Sequence, residues 1–306
     1  MKEIKAVVGT NAWGSKVYGK LLRGSYVDET VINTAVKRAM ELGLYVFDTA
    51  QDYGMGKCQP MLGRLAGHEM LISAKYTPLK KYKKGSVTDS LEKDLKEFKR
   101  EYIDIYWLHL PNSIEDNLAE MIELYKKGKV KNIGISNFSF EECKLAKSIL
   151  EKADIPLYGV QNHYSIVSRK WEEEGLLDWC KENDISFWGW AVLEEGILVG
   201  PPKNEKWTLM KTIFSGQRKK LSPLFEKMEL IGGKYDMTIA QVAMSFVASK
   251  GIIPICGCRK PYQVEQLSKA ANVQLLPKEI ESLEMIADQC GAKILGADIF
   301  RFAVKK

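Results

Sequence analysis

Tyr45-Val46-Phe47-Asp48-Thr49-Ala50-Gln51-Asp52-Tyr53-Gly54 joins a β-prone apolar half to a polar loop that ends in glycine. A carboxylate falls where the strand should stop, and a tyrosine follows five residues on. Alone, such a pair reads as a cap and a packed ring. The sequence on either side decides otherwise.

Upstream lies a strand over residues 6–10. After it comes a helical stretch that Asp28 can cap, with Val31, Ile32, Ala35, Val36, Ala39 and Leu42 at helical spacing and Gly43 at its end. Downstream, β-prone runs at 70–75, 103–109, 133–136, 157–161, 185–190 and 252–256 alternate with helical stretches at 87–98, 115–127, 140–150 and 171–182. Strands that alternate with helices predict a parallel α/β fold, most economically a closed (β/α)8 TIM barrel formed by one domain over 1–306. One unit breaks the rhythm, since 65 residues separate Trp190 from Cys256. Residues 196–235 read as an excursion over the rim after strand 7, with its own helix at 223–231 and a basic run, Arg218-Lys219-Lys220. A C-terminal helix at 278–289 and a tail follow.

Asp48, Lys75, His109, Ser136, Gln161 and Trp190 each end a different strand, at separations of 25 to 34 residues. A barrel of this kind gathers its active site at that end. Tyr53 is the acid–base candidate, a phenol that needs a neighbouring cation to work near neutrality. Lys75 supplies the cation, Asp48 its counter-ion, and His109 can hydrogen-bond the reacting oxygen. The set suits reduction of a carbonyl. No side chain carries a hydride, so a nicotinamide cofactor is implied. Neither GxGxxG after a strand nor GxxxxGK[ST] is present, so the rim must hold it. Ser136, Asn137 and Gln161 can grip its carboxamide, Trp190 offers a flat face, and Arg259 suits a phosphate.

Composition sets bounds. The net charge of +6 is spread along the chain, which fits an anionic cofactor and gives no nucleic-acid footprint. No run of about 20 apolar residues spans a membrane, and no leader pattern opens the chain, so a cytoplasmic protein is expected. Six cysteines lack CxxC pairing and read as reduced thiols, with Cys58 and Cys258 at the rim as those open to oxidation. Three histidines share no ligand spacing, so no metal is expected. Lys80-Lys81-Tyr82-Lys83-Lys84 reads as a solvated loop. Trp13, Tyr18, Tyr76 and Trp107 are candidates for a substrate pocket, with ordinary packing as the alternative for each; Trp13 has the strongest case, and Tyr26 and Trp207 weaker ones.

These segments together resemble the aldo-keto reductase family. Asp48-Thr49-Ala50-Gln51-Asp52-Tyr53-Gly54 is similar to its DTAxxYG motif, Ile72-Ser73-Ala74-Lys75 and Trp107-Leu108-His109-Leu110-Pro111 to its lysine and histidine segments, Gly134-Ile135-Ser136-Asn137-Phe138 to GxSNF, and Gln161-Asn162-His163-Tyr164-Ser165 to QNxYS. Ile253-Pro254-Ile255-Cys256-Gly257-Cys258-Arg259 resembles the cofactor segment after the last strand. The resemblance implies a TIM barrel, NADP(H), a small-molecule carbonyl substrate, and Asp48, Tyr53, Lys75 and His109 as catalytic tetrad. It implies Ser136, Asn137, Gln161, Trp190, Leu193 and Gly257 around the cofactor, Arg259 on its 2′-phosphate and Gln263 near its adenosine, in a monomer or homo-oligomer. The chain departs from the pattern after strand 7, where YSPLxxG becomes Trp190-Ala191-Val192-Leu193-Glu194-Glu195-Gly196. Ala191 lacks a hydroxyl, and Glu194 and Glu195 bring negative charge toward the expected pyrophosphate path. Gln266-Leu267 replaces a Glu-Asn pair at the adenine. Two rival functions remain open at this stage: a Schiff-base lyase or aldolase that uses Lys75, and a non-catalytic, redox-sensing subunit that binds cofactor.

Overall fold

The computed structural model describes residues 3–201 and 216–292. Trp207, the 202–215 part of the excursion and the C-terminal tail lie outside the described residues, as does the side chain of Tyr18. Eight parallel strands close into a barrel in chain order: β1 Val7–Gly9, β2 Val46–Asp48, β3 Leu71–Tyr76, β4 Ile105–Leu108, β5 Ile133–Ser136, β6 Leu157–His163, β7 Ser186–Trp190 and β8 Ile253–Gly257, which pairs back to β1. The expected (β/α)8 barrel is the fold. Among the described residues no helix is long and apolar enough to cross a membrane.

The alternation of side chains along each strand separates two cores. On β4, Tyr106 and Leu108 face the surrounding helices, whereas Ile105 and Trp107 face the barrel interior. Val7, Val46, Ile105, Trp107, Trp188 and Ile255 fill that interior, with Tyr158 against them. Trp107 and Trp188 meet edge to face with ring centroids 5.0 Å apart. Two indoles fit there because β5 carries a glycine in the same layer. A Cβ built on Gly134 would collide with the Trp107 ring.

Around the barrel run α1 Lys16–Arg23, α2 Glu29–Glu41, α3 Cys58–Leu65, α4 Ser86–Phe98, α5 Ile114–Lys126, α6 Phe140–Glu151, α7 Lys170–Glu173, α8 Leu176–Glu182, α9 Ser222–Tyr235, α10 Ile239–Ser249, α11 Pro261–Ala271 and α12 Pro277–Cys290. Asp28 caps α2 as expected, its carboxylate accepting from Val31 N at 3.0 Å. The helix expected over 171–182 splits at Gly175 into α7 and α8. The excursion also differs from expectation. Its helix α9 buries Leu224, Phe225, Met228 and Ile231 and packs against α10 and α12, so this part belongs to the outer layer of helices. Arg218 is buried too: its Nε donates to the Gly200 carbonyl at 2.9 Å, which ties the excursion to the loop after β7.

The interior packing gives a direct test. Gly134→Ala should destabilise the fold by about 1–3 kcal/mol or more, because Trp107 is fully buried and cannot withdraw. Trp107→Phe in the same chain should restore part of the loss. Urea midpoints of the two variants check this, and an unchanged midpoint for Gly134→Ala would refute the packing argument.

Candidate active site

Asp48 ends β2 and Lys75 lies on β3, and the two form an ion pair whose side chains are 3 % and 0 % exposed. Lys75 Nζ also donates to the Thr49 carbonyl at 3.0 Å. The other carboxylate oxygen of Asp48 accepts from Ser73 Oγ at 2.7 Å and from Gln161 Nε2 at 3.0 Å. Below them, Trp107 Nε1 donates to Ser73 Oγ at 2.7 Å. Ser73 escaped the sequence reading, although it sits two residues before Lys75 and so shares its face of β3. Burial pushes Lys75 below its ordinary pKa, and the Asp48 charge opposes that shift.

Tyr53 is placed by the loop after β2, at the start of a single 3₁₀ turn, Tyr53–Met55. Gly54 follows at φ 57°, where a Cβ would strike the Trp13 carbonyl and Cys58 Sγ, so glycine is required there. The half-buried Tyr53 ring lies 4.9 Å from Lys75 Nζ and meets His109 edge to face, with centroids 6.1 Å apart. The loop is anchored from below. Gln51 Nε2 donates to Ser90 O at 2.9 Å and to Asp94 Oδ1 at 2.6 Å, and Gln59 Nε2 donates to the same oxygen. Asp94 is fully buried on α4, and burial pushes its carboxyl up to about 7, against the two amide donors and with Glu97 adding to the rise. Asp94 Oδ2 and Gln59 Oε1 are both buried without a partner among the described residues, and a proton on Asp94 would turn its Oδ2 from an orphaned acceptor into a donor.

His109 follows β4, and its backbone N–H continues the ladder to Tyr76 O at 2.9 Å. Its Nδ1 pairs with Thr77 Oγ1 at 2.8 Å. Burial, with the Lys75 charge adding, pushes its pKa down to about 3, so the ring is neutral at any ordinary working pH. Asn137 sits at φ 63° and donates from Nδ2 to the His109 carbonyl at 2.9 Å and to Ser136 Oγ at 3.1 Å. Its Oδ1 is buried with no partner among the described residues. Ser136 Oγ donates to the Gln161 carbonyl at 2.8 Å. Asp48, Tyr53, Lys75, His109, Ser136, Asn137 and Gln161 are thus brought into one contact network at the C-terminal rim.

Other expected residues surround it. Trp190 ends β7 half-buried, Leu193 is half-buried in the loop beyond, and Gly257 is exposed at the end of β8. Arg259 is half-buried, with Nη1 donating to the Ser25 carbonyl at 2.8 Å; Gln263 Oε1 accepts from the Arg259 and Lys260 backbone N–H groups at the start of α11. Glu194 turns down into the protein, where it is 2 % exposed, while Glu195 is exposed.

Two of the pocket candidates and both cysteines expected at the rim are buried. Trp13 and Trp107 are 0 % exposed. The Trp13 indole N–H donates to the Cys258 carbonyl at 2.9 Å and its ring packs on Phe47, while Trp107 plugs the barrel interior beneath the ion pair. Neither presents a face to a ligand at the rim. Tyr76 is half-buried, and its hydroxyl donates to Ser86 Oγ at 2.9 Å. Cys58 and Cys258 are buried, and burial pushes both thiols up to about 12, which leaves them inert.

The sequence profile of the Aldo/keto reductase family matches residues 5–288. The "Aldo-keto reductase YhdN" of Bacillus subtilis (strain 168) is 25% identical over 306 residues, covering 92% of this chain and 89% of that protein. The "NADPH-dependent alpha-keto amide reductase" of Saccharomyces cerevisiae is 26% identical over 296 residues, covering 91% and 85%. Among solved structures, the aldo-keto reductase from Klebsiella pneumoniae in complex with NADPH superposes with a TM-score of 0.70 at 20% identity, covering 92% of this chain and 90% of that one.

Asp94 supplies a test of the loop anchor. Its carboxyl titrates near pH 4 when unfolded and at about 7 when folded. Between those values only the native state holds the proton, so its contribution to stability is full below pH 4 and is lost as pH rises toward 7. Asp94→Asn keeps the neutral hydrogen-bonding pattern and escapes that loss. Its stability relative to the unsubstituted chain should therefore rise by a few kcal/mol between pH 5 and 8, at about 1.4 kcal/mol per pH unit. Parallel urea midpoints at both pH values would refute the assignment.

Proposed function

The chain belongs to the aldo/keto reductase family, and on that premise we propose that it reduces an aldehyde or ketone to an alcohol with NADPH, the proton coming from Tyr53. Bound NADPH supplies the hydride to the carbonyl carbon. The observation that carries the reading is the meeting of the Tyr53 ring, the Lys75 ammonium and the neutral His109 ring above the buried Asp48 carboxylate. As Tyr53 gives up its proton to the carbonyl oxygen, the Lys75 charge 4.9 Å from its ring stabilises the phenolate, which water then reprotonates. The Asp48 charge opposes the burial that pushes the Lys75 pKa down, and so favours the ammonium. His109 is suited to hydrogen-bond the substrate oxygen as an uncharged group, so it does not compete with Lys75 for the developing negative charge.

The cofactor assignment draws support from the residues themselves. The buried, unpartnered Oδ1 of Asn137 is an acceptor of the kind a carboxamide N–H₂ would satisfy, and Ser136 and Gln161 lie beside it. Arg259 carries a planar fork suited to the 2′-phosphate, and the relative named as NADPH-dependent points the same way. The lyase reading gains nothing from the geometry. A Schiff base needs a free, neutral amine, and Lys75 Nζ is buried and donates to Asp48 and to the Thr49 carbonyl.

Tyr53→Phe should lose about 10²–10⁴-fold in carbonyl reduction and keep its affinity for NADPH, as read by NADPH oxidation against a panel of aldehydes and ketones together with cofactor titration. Retained turnover would sink the proton-donor role. Arg259→Ala should weaken NADPH about tenfold to a hundredfold, since a hydrogen bond to a charged group contributes roughly 1.5–3 kcal/mol. The same substitution should leave NADH nearly unchanged, and equal losses for both would remove the 2′-phosphate role.

A further inference from the structure

The ends of β6 and β7 hold a buried polar cluster that the proposed chemistry does not use. His163 and Trp190, the last residues of the two strands, are paired in register. Their rings meet edge to face, with centroids 4.8 Å apart and planes at 73°. A carboxylate only accepts, so His163 Nε2 donates to Glu194 Oε2, at 3.1 Å, and the Ser165 hydroxyl donates to Oε1. Glu194 lies four residues beyond Trp190, so the contacts close on themselves: chain from Trp190 to Glu194, hydrogen bond to His163, ring contact back to Trp190.

Two features show that this closure is built. Ala191, Glu194 and Glu195 sit at φ 57°, 45° and 56°, a left-handed conformation that costs a residue with a Cβ roughly 1–2 kcal/mol. The buried Glu194 carboxylate, with both oxygens hydrogen-bonded, holds the loop in it. Apolar residues of similar size would often fill such a position at no loss of stability. What a hydrogen bond adds is direction, because it fixes the plane of the imidazole, and that plane decides where the indole can lie against it. His163 Nδ1, buried and without a partner among the described residues, is the unsatisfied cost of the arrangement.

We propose that Glu194 and His163 are positioning residues that fix the Trp190 indole as the face for the nicotinamide half of the cofactor. The assignment rests on the reading that this rim binds NADPH. It is tested by calorimetric titration of NADPH, and of adenosine 2′,5′-bisphosphate, which lacks the nicotinamide half, into the full-length wild type, Glu194→Gln, Trp190→Leu and the double variant. Glu194→Gln should weaken NADPH tenfold or more and leave the bisphosphate within twofold. In the Trp190→Leu background it should add less than twofold. Equal losses for both ligands, or a full tenfold loss without Trp190, would overturn the assignment, since either marks a general structural effect. Ser165→Ala, which removes one hydrogen bond and little volume, should shift NADPH in the same direction by less; unchanged affinity there overturns the proposal even if Glu194→Gln fails to fold. A wild type that binds no NADPH would overturn the functional reading itself. Wild-type binding that Glu194→Gln retains in full would overturn only the positioning role.

Discussion

The buried pair of Lys75 and Asp48 is the constraint on which the rest of the site depends. Two charges taken out of water cost several kcal/mol each unless every lone pair and N–H finds a partner. Asp48 meets that demand with donors from three residues on two other strands: Lys75 and Ser73 from β3 and Gln161 from β6. The last reaches across the barrel interior, because β6 is not a neighbour of β2. A slip of one residue in any of these strands would turn the partner outward and leave the charge unpaired. The pair therefore fixes register, and through Ser73 it seats the polar rim on Trp107 and the aromatic interior beneath. Removing one partner of such a pair costs about 3–5 kcal/mol, while an apolar substitute for both is often harmless. The pair is thus better explained by the role proposed for it beside Tyr53 than by any gain in stability.

Burial acts on Lys75 and His109 alike, since both are cations when protonated and both are out of water, but the outcome differs with the partner. Lys75 has a carboxylate against it. His109 has no carboxylate to answer its charge: burial, with the Lys75 charge adding, takes its pKa down to about 3. One site thereby holds a charged group and a neutral hydrogen-bonding group side by side. The reduction proposed for this site would use both, a field that stabilises phenolate and a polar contact that steers the substrate oxygen.

Which residues were legible in the sequence follows from this geometry. Asp48, Lys75, His109, Ser136, Gln161 and Trp190 all lie within two residues of a strand's end, one βα unit apart, and strand ends are what periodicity locates best. The same periodicity could not choose between pocket and core for Trp107, which lies two residues before His109 and so shares its inward face, one layer down. Nearness to the rim along the chain did not say at what depth in the barrel an indole would lie; that depended on Gly134 leaving room on the next strand. For Trp13 the packing alternative is the one the structure shows, because its indole N–H finds the Cys258 carbonyl, a partner 245 residues away. The descent of Glu194 was equally hidden, because its motive is His163 on another strand. Among the described helices α1, α3, α10 and α11 were given no range by the sequence; α1 and α3 are eight-residue segments packed on the loop that carries Tyr53.

That loop is also where the scaffold's precision is most at risk. Lys75 sits on a strand, Asp48 ends one and His109 follows one directly, but Tyr53 is five residues out from β2, and a proton donor displaced by 1 Å loses much of its effect. Three independent contacts limit that freedom. Gly54 presses against Trp13 and Cys58, the Tyr53 ring rests near the Lys75 ammonium, and Gln51 reaches down to Ser90 and Asp94 on α4. The third differs in kind, because Asp94 has only neutral donors against it and is held near neutrality, at about 7. When protonated, its unpartnered Oδ2 becomes a donor and the buried charge is gone; when ionised, a charge is left buried against neutral donors alone. The loop that carries the proposed acid is therefore firmest on the acidic side of neutrality.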